Sequence, residues 1–155
     1  MATMVMIRTL PAPTMRSLYY YCSTSSSNED CQLRSIDTDR LARYTAGLQQ
    51  PNGSFFGDKW GEVDTRFSYC GLSTLALLNR LELIDVPKAA EYCLNCLNFD
   101  GSFGGIPGAE SHGAYVLCCV GALKIAGFIE SFDHDELAKW LCERQTAKGG
   151  FNGRP

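Results

Sequence analysis

The chain has 155 residues, 45% of them hydrophobic and 20% charged, the size and composition of one ordinary globular domain, which excludes disorder throughout. Net charge is −3 and the Lys and Arg residues are scattered, so there is no basic patch for a phosphate backbone and nucleic-acid binding is not expected. No run approaches the roughly 20 apolar residues of a spanning helix, so no transmembrane segment is expected and a cytoplasmic location follows.

Residues 1–35 read as a disordered leader ahead of a folded region at 36–155. The first 28 residues contain Arg8 and Arg16, several Ser and Thr and no acid, the composition of an organelle transit peptide. The Pro11 and Pro13 pair interrupts any amphipathic helix, which leaves import as the alternative to an ordinary leader. The eight cysteines are too sparse for a disulfide scaffold, and most sit among apolar neighbours as reduced core residues.

From Asp37 onward the chain is periodic. Phe55, Phe103 and Phe151 recur every 48 residues, each behind Gly53-Ser54, Gly101-Ser102 or Gly149-Gly150. Asp37, Asp85 and Asp133 keep the same interval, as do Tyr44, Tyr92 and Trp140. Each repeat decodes as an Asp suited to capping a helix, a half-exposed helix, a Gly-rich turn and a second helix.

In chain order, the spacing predicts an outer helix over Asp37–Gln50, an inner one over Asp64–Leu83, a second outer helix over Asp85–Asn98 and a second inner helix over His112–Phe128. A third outer helix follows over Asp133–Thr146. Pro87 falls in the first turn of its helix, where the missing N–H costs nothing. Between Tyr115 and Phe128 the only charge is Lys124, which predicts burial on most sides. An outer layer wrapped on an inner one makes an all-α solenoid or α/α toroid, here about two and a half repeats without strands. Such an array leaves apolar faces open, so the native architecture is expected to be longer, or a partner to cover them.

Several local patterns invite sharper readings. Cys93-x-x-Cys96 has half the spacing of a zinc site, but no second pair exists and both fall within a predicted helix, so core packing is preferred. Cys118-Cys119 reads the same way. Asp133-His134-Asp135-Glu136 sits at a helix start, where carboxylates complement the dipole, and is read as capping. Phe55, Phe103 and Phe151 are read as packing between repeats rather than as a ligand-stacking set.

The strings Gly61-Glu62-Val63-Asp64-Thr65-Arg66-Phe67-Ser68-Tyr69-Cys70, Glu110-Ser111-His112-Gly113, Trp140-Leu141-Cys142-Glu143-Arg144-Gln145 and Gly149-Gly150-Phe151-Asn152-Gly153-Arg154-Pro155 resemble the β subunits of protein prenyltransferases. The likeness runs from about Ile36 to Pro155, and Asp-Thr-Arg-Phe-Ser with Cys-Glu-Arg-Gln favours the Rab geranylgeranyltransferase (type II) over the farnesyl and type I enzymes. The resemblance implies an α/α toroid with an apolar funnel for geranylgeranyl diphosphate. It also implies a zinc ion that activates the acceptor cysteine, a partner α subunit, and a Rab protein delivered by an escort protein.

Carried across by motif, the lipid diphosphate would be held by His112, with Gly113 and Ala114 beside it, and by Arg154. Tyr69, Tyr115 and Cys118 would line the funnel. Taken alone, a His at a helix start is more often a cap, but the N-terminal N–H groups of a buried helix also favour an anion. The family's zinc ligands, an Asp-x-Cys pair and a later His, would fall beyond Pro155, so no metal ligand or catalytic residue is expected within this chain. On that ground the chain is expected to be partial and inactive alone. Gly113-Ala114-Tyr115 departs from the Ala-Gly-Gln usual in Rab-type enzymes. A non-catalytic interaction fragment and a type I or farnesyl β subunit are the alternatives. Triterpene cyclases share the Gln-to-Phe turn spacing at Gln49 and Gln145 but require an Asp-x-Asp-Asp motif that is missing here.

Overall fold

The computed structural model describes residues 37–58 and 60–154; the leader expected over residues 1–35 lies outside them. Five α-helices alternate as predicted: α1 (Thr38–Ala46), α2 (Thr65–Leu77), α3 (Val86–Leu94), α4 (Gly113–Ala126) and α5 (His134–Cys142). Short 3-10 turns at Leu81–Leu83 and Ile129–Ser131 lead into α3 and α5. Among the described residues there is no strand, only isolated bridges.

The repeating Asp residues cap the outer helices. Asp37 accepts from the Arg40 amide at 2.9 Å, Asp85 from Lys88 at 3.1 Å, and Asp133 from Asp135 and Glu136 at 2.9 and 3.0 Å. The acidic cluster at 133–136 is thus a cap and first turn, with His134 Nε2 2.7 Å from the Ile129 carbonyl.

Each outer helix ends four residues before its predicted end, at Ala46, Leu94 and Cys142. The missing residues are claimed by a turn in which Gln49, Leu97 and Gln145 bridge to Phe55, Phe103 and Phe151. The Gln50 amide donates to Ser54 O at 2.8 Å, Asn98 to Ser102 at 2.8 Å and Thr146 to Gly150 at 2.7 Å. The turn needs a left-handed residue, supplied by Gly53, Gly101 and Gly149 at φ of 87°, 76° and 84°.

The core lies between the two layers. Phe55, Leu72, Cys93, Cys96, Phe103 and Cys119 are fully buried. Burial pushes the Cys96 thiol up to about 12, as suits a core residue rather than a ligand. Phe55 and Phe103 serve packing between repeats, Phe103 meeting Phe132 edge-on at 5.3 Å. Phe151, by contrast, is 55% exposed.

The inner helices α2 and α4 pack on each other, α1 backs α2, and α3 backs α4. The expectation that Tyr115–Phe128 is buried on most sides is corrected. Val116, Cys119, Ala122 and Leu123 are buried, but Leu117 is 67% exposed, and on α2 Leu77 is 65% exposed. One stripe of each inner helix faces the core, and an apolar remainder lies open.

Candidate functional site

Both inner helices begin at the same end of the array, and the following repeat completes each start. The Thr65 amide at the head of α2 donates to Gly105 O at 2.8 Å, and 48 residues later the Gly113 amide at the head of α4 donates to Gly153 O at 2.8 Å. These loop glycines approach side chains closely. A Cβ on Gly105 would stand 2.8 Å from Tyr115 Cζ, and one on Gly153 would stand 2.6 Å from His112 Nε2. Gly57 is the same position one repeat earlier, where a Cβ would meet the Phe67 ring at 2.2 Å.

His112 is the N-cap of α4, with extended backbone (φ −150°, ψ 133°). Its Nδ1 accepts from the Ala114 amide at 3.0 Å, which leaves the ring proton of the neutral form on Nε2 as an available donor. Its ring meets Tyr115 edge-on at 5.6 Å.

The helix N-terminus itself offers less than expected. The Gly113 amide is taken by Gly153, Ala114 by the His112 ring, and Tyr115 and Val116 by His112 O at 2.9 and 3.1 Å. Gly113 and Ala114 therefore present no free backbone N–H to an anion, and the anion-binding capacity of this end rests on side chains and the dipole.

Arg154 comes to the same end and pairs with Glu110 at 3.3 Å, both side chains being more than 60% exposed. An ion pair this open is worth little, about 0.2–1 kcal/mol, so the guanidinium is easily transferred to a stronger anion.

Tyr69, Tyr115 and Cys118 are all half-buried on the paired inner helices, Tyr69 resting where Gly121 of α4 leaves room (a Cβ there would be 2.6 Å from the Tyr69 ring). Burial, and after it neighbouring Cys70, pushes the Cys118 thiol up to about 12, so it is a neutral lining group at pH 7.

The head of α2 carries a charged group to which the sequence assigned no role. Asp64 caps the helix by accepting from the Arg66 amide at 2.8 Å, and its carboxylate also takes the Arg66 side chain through Nε at 2.8 Å and through Nη2. Glu62 adds a contact at 3.3 Å. The hydrogen bond to Asp64 raises the Arg66 pKa above its ordinary value against the cost of burial, so Arg66 is a fixed charge.

Behind His112 lies a polar network. Asn98 donates to Ser111 Oγ at 2.9 Å, Ser111 donates to Asp100 Oδ1 at 2.8 Å, and Trp140 Nε1 donates to Asp100 Oδ2 at 2.9 Å. Burial alone would raise the Asp100 pKa, but the bonds from Ser111, the Ser102 amide and Trp140, with the Arg144 charge nearby, hold it below its usual value. A depressed folded pKa stabilises above the unfolded value of about 3.9 and is lost as pH falls through the folded one. Acid titrations of stability are therefore expected to separate wild type from Asp100→Asn most at neutral pH. The gap should narrow below about pH 4, read from circular-dichroism melts.

Among the described residues no group of three or more His, Cys, Asp or Glu is placed to hold a metal ion. No described helix is long and apolar enough to cross a membrane.

Residues 10–155 match the family described as the prenyltransferase alpha-alpha toroid domain. The chain is 61% identical over 41 residues to a geranylgeranyl transferase type-2 subunit beta of Candida albicans, a stretch covering 26% of this chain and 12% of that protein. It is 54% identical over 39 residues, 25% of this chain and 12% of the relative, to the subunit of the same name from Saccharomyces cerevisiae. The aligned stretches thus span about an eighth of these relatives. Among solved structures, Candida albicans protein geranylgeranyltransferase-I complexed with GGPP superposes with a TM-score of 0.62 at 21% identity, over 77% of this chain and 41% of that one. That likeness establishes the fold, an α/α toroid of which this chain forms part.

Proposed function

From the premise that the chain belongs to the prenyltransferase α/α-toroid family, we propose that it is part of the β subunit of a type II protein geranylgeranyltransferase. The observation that carries the type is local: the 61% and 54% identities are to type-2 β subunits, whereas the likeness to the type I structure extends to fold alone.

In this reading geranylgeranyl diphosphate lies with its chain along Tyr69, Tyr115 and Cys118 and its diphosphate at the head of α4. The acceptor is a C-terminal cysteine of a Rab protein presented by an escort protein, and a prenyltransferase α subunit completes the cytoplasmic enzyme. The bond from the allylic carbon to the diphosphate oxygen breaks, a carbon–sulfur bond forms, the thiol proton is lost and diphosphate leaves. His112 donates from Nε2, and Arg154 exchanges Glu110 for two phosphate oxygens. Both act on charge that grows as the bond breaks, so they serve substrate and transition state together. The zinc that belongs with this reading finds no cluster of ligands among the described residues.

The type is tested by coexpressing the chain with the α subunit of a type II enzyme and, separately, with that of a type I enzyme. Selective co-purification with the type II subunit is expected; selective capture by the other would overturn the assignment. Arg154→Lys is expected to keep only part of the diphosphate affinity that Arg154→Ala loses, because a point charge does not reproduce the fork, and calorimetry with inorganic diphosphate reads the difference.

A further inference from the structure

We propose that Asp100 is a positioning residue for His112, acting through Ser111 and anchored by Trp140 of the following repeat. The inference rests on the reading that His112 Nε2 meets a diphosphate.

Ser111 directly precedes His112 and is 4% exposed. Its hydroxyl accepts from Asn98 and donates to Asp100, while the His112 amide donates to Phe103 O at 3.0 Å. The turn that sets the imidazole is thus tied on both sides. Asp100 gathers donors from three segments: Ser111 and the Ser102 amide at 3.0 Å on one oxygen, and Trp140 on the other. Trp140 is itself immobilised, 3% exposed, with the Arg144 guanidinium 3.6 Å from its ring centre and donating to its carbonyl at 2.7 Å.

Two oxygens are needed because donors approach from two directions. An amide would turn its NH2 toward either Trp140 or the Ser111 side, donor against donor. The preceding repeat is an internal control. There Asn52 replaces Asp100, Val63 replaces Ser111, Asp64 replaces His112 and Tyr92 replaces Trp140. Asn52 needs only its single Oδ1, which takes the Ser54 amide and hydroxyl at 3.1 and 2.7 Å. The carboxylate occurs in the repeat that has the Ser hydroxyl, the indole N–H and the histidine.

The test uses the full chain, calorimetric titration with inorganic diphosphate and nitrogen NMR of the His112 ring, with melts to verify folding. Asp100→Asn and Ser111→Ala should each weaken binding about two- to tenfold, the scale of one hydrogen bond. Each should add nothing in a His112→Ala background, and each should shift the His112 nitrogens away from a bonded Nδ1. In Asp100→Asn, adding Trp140→Phe should recover part of the loss by removing the opposed donor. Should Asp100→Asn fail to fold, Ser111→Ala carries the comparison. Wild-type affinity with unchanged His112 signals in a folded variant, or a loss that adds in full to that of His112→Ala, overturns the inference. Unchanged binding in His112→Ala alone instead removes the diphosphate reading, while the ring signals still report whether Asp100 sets the imidazole.

Discussion

Replacing His112 with Ala is expected to weaken diphosphate binding by about 1 to 3 kcal/mol, roughly five- to 150-fold in Kd, the range for losing a hydrogen bond to a charged group. The structure sharpens why this residue should dominate its end of α4. The amides of residues 113–116 are already bonded, so donation to an anion there falls to side chains such as Nε2 of His112 and the loosely held Arg154 rather than to the backbone. His112 is also the cap, and losing the acceptor for the Ala114 amide carries its own cost of about 1 kcal/mol in helix stability. The two effects separate with His112→Asn, which keeps a capping oxygen but withdraws the Nε2 donor: stability should return and affinity should not. Equal affinity for geranylgeranyl diphosphate in wild type and a folded His112→Ala would make the residue a cap and nothing more.

Gly53→Ala is expected to destabilise the fold by about 2 to 4 kcal/mol, visible as a fall in Tm of about 8 to 16 °C. Two costs combine. Gly53 has φ of 87°, where a side chain is strained, and its Cβ would stand 2.0 Å from the Lys88 carbonyl oxygen, which belongs to the first turn of α3 and has no flexible end to yield. Gly149 separates the two: its φ is 84°, but nothing lies within 4 Å of a Cβ there. Gly149→Ala should therefore lose only about 1 kcal/mol, the conformational part. Equal losses at both glycines would mean that contact with α3 does not matter.

The 48-residue columns made the layered helical fold legible, because Asp caps and left-handed glycines act through local backbone chemistry that each repeat restates. Helix ends were less legible. Gln49, Leu97 and Gln145 carry no signal that a bridge to the next phenylalanine will outbid the helix for them. Burial of α4 was less legible, because apolar composition says which residues avoid water but not which stripe packs on a neighbour, and Leu117 is 67% exposed. At the site, motif likeness singled out His112 and Arg154 but not their partners. Glu110, Asp100 and Trp140 act through contacts up to 44 residues away in sequence, which only the fold brings together. Gly57, Gly105 and Gly153 form a fourth column in the same period, the sequence signal for where each loop presses on the head of an inner helix.

The bonds from Thr65 to Gly105 and from Gly113 to Gly153 run one way along the chain, each inner helix being finished by residues synthesised after it. The array consequently has a polarity. During synthesis, the head of α4 stays incomplete until Gly153 has left the ribosome, so His112 acquires its setting only once the third turn exists. Trimming from the two ends should be correspondingly unequal. Removing α1 exposes a flank of α2 but breaks neither junction, whereas cutting ahead of Gly153 undoes the head of α4 directly, forty residues upstream of the cut.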